Sequence, residues 1–146
     1  MEKTGEIRRE RVSGQAGSLA ISVIIAVRNE AHNLPCCLDA LQHFGEVYVI
    51  DSHSTDDTRE IAAAHGAKVV QFDYQGGWPK KRQWALDTLP IAYDWVLLLD
   101  ADEVMTSALE AEIRGLVADA SCDGYYVALQ MYFLGRQLRQ IGRAHV

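Results

Sequence analysis

The sequence predicts an α/β domain built on a mostly parallel sheet with helices on both faces. Two observations carry this. From Leu19 onward, short apolar runs alternate with amphipathic segments in the order βαβαβαβ, which calls for crossover connections rather than hairpins. Cap and turn residues also fall between the runs, where helices would have to start and stop.

The first strand is Ile21-Ser22-Val23-Ile24-Ile25-Ala26-Val27, β-branched and nearly all apolar, as expected for a strand buried on both faces. Leu34, Cys37, Leu38 and Leu41 recur at i, i+3, i+4 and i+7 and give the first helix its inward stripe. Val47-Tyr48-Val49-Ile50 forms the second strand, ending at Asp51. Ser54-Thr55-Asp56-Asp57 reads as a capping box with acids placed for the helix dipole. Its helix runs to His65, where Gly66 stops it. The third strand covers 67–72. After Gly76-Gly77, Pro79 suits the first turn of a helix carrying Trp84, Ala85 and Leu89. The fourth strand is Trp95-Val96-Leu97-Leu98-Leu99. Ser107-Ala108-Leu109-Glu110 is a second capping box, and its helix turns Leu109, Ile113, Leu116 and Val117 inward. A further strand is expected over 125–133. Residues 1–18 are polar and charged, with Gly and Ser breaks, and are expected to form a mobile leader ahead of a domain at 19–140.

Fourteen Lys and Arg stand against twenty Asp and Glu, a net charge of −6. That argues against a nucleic-acid partner. Cys36, Cys37 and Cys122 include no Cys-x-x-Cys pair. They fit reduced thiols in a cytoplasmic protein better than a disulfide framework or a zinc site. No apolar run approaches the ~20 residues that span a bilayer, and no signal-peptide pattern opens the chain.

Polar chemistry gathers at the ends of the strands. Trp95 to Leu99 stops at Asp100-Ala101-Asp102-Glu103. Two carboxylates separated by one small residue, delivered by a rigid strand, suit a hard divalent cation such as Mg²⁺ or Mn²⁺ that shares its oxygen ligands with substrate phosphates. The first strand ends in Arg28-Asn29-Glu30 and the second in Asp51-Ser52-His53-Ser54. In parallel sheets these ends share one edge, where ligands bind. Lys80-Lys81-Arg82 opens the third helix and offers charge-assisted contacts to a diphosphate, with Arg82 the best placed of the three. No Gly-x-Gly-x-x-Gly follows the first strand, and no P-loop occurs, which disfavours dinucleotide and P-loop enzymes. The histidines at 32, 43, 53 and 65 form no ligand set.

These three motifs, in this order and spacing, resemble the family-two glycosyltransferases of GT-A fold. The resemblance covers about residues 21–135 and is nearest to bacterial β-glucosyltransferase-like members of lipopolysaccharide-core assembly. It implies a Rossmann-like GT-A fold with the C-terminal half missing. It also implies an inverting transfer of a sugar from a nucleotide-diphosphate donor, such as a UDP-sugar, to a glycan or lipid-linked acceptor, with possible peripheral contact to the inner membrane face. By the same resemblance Arg28, Asn29 and Glu30 lie beside the nucleobase, Asp51 contacts base or ribose, and Arg82 approaches the nucleotide. Asp100 faces ribose or metal, Asp102 is the principal metal ligand, and both belong to the catalytic apparatus. Two positions depart from the pattern: Arg28 stands where an aromatic residue often precedes Asn29, and Gln83 where an Asn often follows the basic residue. No acid follows Asp123, so the catalytic base of inverting members is expected to be absent. The last six residues, Ile-Gly-Arg-Ala-His-Val, match a reading frame of a common sequencing adapter, and 141–146 are expected to be non-native.

Two other readings compete. Asp100-Ala101-Asp102-Glu103-Val104 also fits the motif of haloacid-dehalogenase-type phosphatases, with Asp100 as nucleophile and Asp102 as acid/base. Against it, three strands precede the motif and no Lys follows Lys81. The third reading is a nucleotide-binding module without catalysis.

Overall fold

The computed structural model describes residues 17–118 and 121–137. Residues 1–16 of the leader expected over 1–18, and the tail over 141–146, lie outside them. Four parallel strands make the main sheet: β1 (Leu19–Val27), β2 (Phe44–Asp51), β3 (Lys68–Gln71) and β4 (Trp95–Asp100), in the order β3-β2-β1-β4. Between and after them run α1 (Leu34–Asp39), α2 (Thr58–Ala64), α3 (Lys81–Thr88) and α4 (Ser107–Ala118).

Alternation along the strands divides the core. Ile21, Val23, Ile25 and Val27 of β1 face one side with Val49, Leu99 and the buried residues of α1 and α2. Ile24, Tyr48, Ile50 and Phe72 face the other side with Ala85 of α3. β1 is the central strand with neighbours on both edges, and its apolar side chains are buried on both faces, which is why the run from Ile21 to Val27 carries almost no polar residue. Leu109, Ile113 and Val117 of α4 pack on the first core, and Leu116 is half-buried.

Several local expectations are corrected. Ser54 does not cap α2, which starts at Thr58; its hydroxyl is engaged by Asp51 and by the Asn29 N–H instead. At α4 the side-chain cap is Thr106, whose Oγ1 accepts the Leu109 N–H at 3.2 Å, one residue before the expected Ser107. Pro79 precedes α3 by two residues and lies outside its first turn. The strand expected over 125–133 shrinks to a hairpin of β5 (Tyr132–Phe133) and β6 (Arg136–Gln137), closed by Leu134 and Gly135, both with positive φ, the backbone of a tight two-residue turn. β4 consequently keeps an unpaired edge among the described residues. On the α3 side of β4, Leu98 is exposed, as are Tyr126, Leu129 and Tyr132 beyond it.

At the other end of the sheet one buried acid joins the strands. Glu46 of β2 accepts from Ser22 Oγ of β1, from Lys68 Nζ of β3 at 2.7 Å, and from the Ala92 N–H ahead of β4 at 2.7 Å. Burial pushes its carboxyl up, but the bonds from Lys68, Ser22 and Ala92 and the Lys68 charge outweigh burial and hold it below the ordinary glutamate value. Glu46→Ala strands the buried Ser22 hydroxyl and is expected to cost about 1–3 kcal/mol, read by chemical denaturation. Because the folded-state value is lowered, the stabilisation is fully present above the unfolded value of about 4.3 and is lost as pH falls through the lowered one. The parent should therefore lose stability through that acid window more steeply than Glu46→Ala does.

Candidate functional site

Parallel pairing brings the ends of β1, β2 and β4 to one edge. Val27 pairs with Asp51 and Ala26 with Asp100, so the two acids flank the last residues of β1. The chain steps outward through β2 and β3 and then returns to the far side of β1 for β4. That reversal makes a crevice beyond the carboxyl ends, the usual ligand position in open α/β sheets.

Asp51 has no exposed surface. Ser54 donates to it through its N–H, at 3.1 Å to Oδ2, and through its hydroxyl, while Gln71 donates from Nε2 at 2.9 Å. Burial pushes the Asp51 carboxyl up, but the bonds from Ser54 and Gln71 and the charge of Arg59 outweigh it, so Asp51 lies below the ordinary aspartate value. Of the two residues bonded to it, Ser54 is buried and Gln71 is exposed.

The loop after β1 is laced to the loop after β2. Asn29 takes a positive φ of 55°, which Asn tolerates better than most residues. Its N–H donates to Ser54 Oγ at 2.8 Å, and its Oδ1 accepts the Thr55 N–H at 2.8 Å. The Glu30 N–H donates to Thr58 Oγ1 at 2.9 Å and the Ala31 N–H to Asp56 Oδ2 at 3.1 Å. The Glu30 carboxylate accepts from Asn33 Nδ2 at 3.0 Å at the start of α1, and Arg28 is exposed at the rim.

Helix α3 carries cations to the same edge. Lys81 Nζ donates to the Val27 carbonyl at 2.7 Å. Burial lowers its pKa, the Asp51 charge raises it and the Arg28 charge lowers it further, with a lowered value as the outcome. Arg82 pairs with Asp100 through Nη2 and Oδ1, both side chains about half exposed; such surface pairs are weak and exchangeable. Past β4, the Asp100 N–H donates to Glu103 Oε2 at 2.8 Å and the Glu103 N–H to the Asp100 carbonyl at 3.1 Å. Asp102 is exposed on the turn between them.

The structure thus gathers Asp51, Asp100, Arg28 and Arg82 at one edge. Asn29 and Glu30 serve there through backbone and side-chain ties to neighbouring loops. Lys81 and Gln71 were not singled out from the sequence. Lys81 was visible only as one member of a basic run. Gln71 carried a subtler signal, a polar residue closing an apolar strand at the edge where Asp51 and Asp100 also end.

The residues at the end of β4 fit a hard cation. All candidate donors are carboxylate oxygens, the ligands that Mg²⁺ and Mn²⁺ select. No cluster of three or more ligating side chains comes together among the described residues. Local charge also marks the spot: Cys37 Sγ lies 3.7 Å from the Asp100 carbonyl, and burial first, then Glu103, Asp102 and Asp100, push its thiol up to about 12.

Residues 22–143 match the family model for glycosyl transferase family 2. The chain belongs to that family. An uncharacterized glycosyltransferase of Rickettsia felis is 36% identical over 106 residues, covering 72% of this chain and 36% of the relative. The lipopolysaccharide core biosynthesis glycosyltransferase LpsC of Rhizobium meliloti is 29% identical over 122 residues, covering 80% of this chain and 44% of LpsC. Among solved structures, glucosyl-3-phosphoglycerate synthase from Mycobacterium tuberculosis, in complex with Mn²⁺, UDP and glucosyl-3-phosphoglycerate, superposes with a TM-score of 0.53 at 26% identity, over 73% of this chain and 42% of that one. S. aureus TarS 1-349 shares the fold, with a TM-score of 0.58 at 24% identity, over 76% of this chain and 39% of that one. The chain therefore spans well under half the length of these relatives. Family membership decides for the GT-A transferase fold and against the phosphatase. Among the described residues no helix is long and apolar enough to cross a membrane.

The thiols provide a direct check on the electrostatics at the end of β4. Cys36 and Cys122 are exposed and Cys37 is buried. With a thiol-specific reagent at pH 8, Cys36 and Cys122 should react rapidly and Cys37 only after denaturation, because thiolate fraction and access govern the rate. Rapid reaction at Cys37 in the native protein would contradict the acidic, enclosed setting described above.

Proposed function

We propose that this edge binds a nucleotide-diphosphate sugar and a divalent cation, as the donor-binding part of an inverting glycosyltransferase. The observation that carries the reading is the convergence of three parallel strand ends, with Asp51, Asp100 and the Arg82 guanidinium flanking the end of β1. Asp51, Arg28, Asn29 and Glu30 make the nucleoside side. Lys81 and Arg82 supply positive charge for the diphosphate. Asp102, supported by Asp100, holds the cation. When bound, that cation neutralises charge on the departing nucleoside diphosphate.

The relatives favour one setting. LpsC is named for lipopolysaccharide core biosynthesis, and glucosyl-3-phosphoglycerate synthase was crystallised with UDP and Mn²⁺. The donor is accordingly a UDP-sugar and the acceptor a glycan or lipid-linked precursor of a cell-envelope polysaccharide or lipopolysaccharide. A lipid-linked acceptor would bring this protein to the cytoplasmic face of the inner membrane as a peripheral visitor.

Calorimetry with UDP, with and without Mn²⁺, tests the two halves of the site separately. Asp102→Asn should weaken Mn²⁺-dependent UDP binding at least tenfold, about 1.4 kcal/mol. Binding without metal should be nearly unchanged in that variant. Asp51→Asn, by contrast, should weaken UDP with or without Mn²⁺, because it alters the nucleoside side. An Asp102→Asn protein that binds UDP and Mn²⁺ like the parent would remove the metal from this turn.

A further inference from the structure

Arg82 and Asp100 are each other's partner in this structure, and that contact stands in the way of both roles proposed for them. The Arg82 guanidinium donates from Nη2 to Asp100 Oδ1. A carboxylate held in this way has part of its charge cancelled and one oxygen in use, and a hard cation needs the charge and the oxygen. Glu103 is also engaged, by the Asp100 N–H at 2.8 Å. Of the three acids at the end of β4, only Asp102 is left without a hydrogen bond or ion pair among the described residues. One open carboxylate is a poor site for Mg²⁺ or Mn²⁺.

The contact can be exchanged without moving the fold. Helix α3 is fixed to the sheet: Lys81 Nζ donates to the Val27 carbonyl at 2.7 Å, Ala85 is fully buried, and the Trp84 ring lies 5.2 Å from Phe72. The Arg82 and Asp100 side chains, by contrast, are each about half exposed, and a pair so placed is weak. A diphosphate presents several charged oxygens, and a guanidinium binds such a group bidentately, more strongly than through one bond to an exposed carboxylate. We propose that Arg82 is a positioning residue that neutralises Asp100 until a diphosphate arrives and then passes to the phosphates, releasing Asp100 to the cation. Anion and cation then assist each other's binding through one side chain, and the coupling is reciprocal. This rests on the reading of the edge as a nucleoside-diphosphate and cation site and deepens it from a set of contacts to an order among them.

The exchange predicts effects of opposite sign from one substitution. Mn²⁺ alone is titrated by electron paramagnetic resonance, and UDP with Mn²⁺ by calorimetry, for the parent chain, Arg82→Gln and Arg82→Lys. Arg82→Gln frees Asp100, so Mn²⁺ alone should bind about threefold more tightly than to the parent, the scale of an exposed ion pair. The same variant should bind UDP with Mn²⁺ about fivefold more weakly, because the phosphates lose their guanidinium. Arg82→Lys keeps the charge beside Asp100 and should bind Mn²⁺ alone within about twofold of the parent. In an Asp100→Asn background the gain in Mn²⁺ affinity from Arg82→Gln should vanish, as a double-mutant cycle on a direct pair requires. A merely structural role for Arg82 would weaken both titrations together, and that result overturns the proposal. So does a gain that persists in the Asp100→Asn background. A parent that does not bind UDP with Mn²⁺ overturns the nucleotide-site reading itself, and this inference falls with it. A parent that binds UDP with Mn²⁺, beside an Arg82→Gln chain that takes Mn²⁺ alone no more tightly, overturns the inference and leaves that reading standing.

Discussion

The functional edge depends on a carboxylate that has no water. Asp51 sits at the end of a central strand, fully buried, and an anion there persists only if its lone pairs are met by donors. Ser54 and Gln71 meet them. Satisfying Asp51 fixes Ser54, and Ser54 Oγ in turn receives the Asn29 N–H. From there Thr55, Thr58 and Asp56 tie the β1 loop down residue by residue. One buried charge thus propagates into the shape of two loops, and those loops form one side of the candidate site.

A second buried acid works at the far end of the same strand. Glu46 joins β1, β3 and the segment entering β4, while Asp51 organises the carboxyl ends. β2 is therefore pinned at both ends by carboxylates, with apolar packing between them. Register in a two-sided parallel sheet is weakly marked by its uniformly apolar residues. Polar bonds at defined positions specify it, and here the register determines that Asp51 and Asp100 both fall beside the end of β1.

Much of this was legible in the sequence because strand and helix periodicity is local. The four strands, the four helices and the convergence of their acidic ends follow from apolar runs and turn residues. What stayed hidden was non-local. Ser54-Thr55-Asp56-Asp57 has the composition of a helix cap, yet Ser54, Thr55 and Asp56 bond to the β1 loop about 25 residues away, a competition that a four-residue window does not register. Gln71 gains its meaning only once β3 lies beside β2 in register, with Asp51 paired to it. The apolar pattern over 125–133 reads as a strand by period alone, but strand formation needs a partner, and among the described residues β5 finds one only in β6.

The two sides of the site differ in how firmly they are built, and the difference has a chemical logic. The bonds to the Asp51 carboxylate are buried or part-buried, and Gln71 and Asn29 tie in neighbouring elements, so this side of the site is built before any ligand arrives. Preorganised polar groups discriminate best, since no reorganisation blurs the cost of an unpaired donor. Around Asp100 the Arg82 pair is solvent-exposed and Asp102 projects from a turn. Charges there are screened and cheaply rearranged, as the proposed exchange of a diphosphate and its cation requires. The central strand β1, the longest of the sheet, lies between the buried acid and the exposed pair.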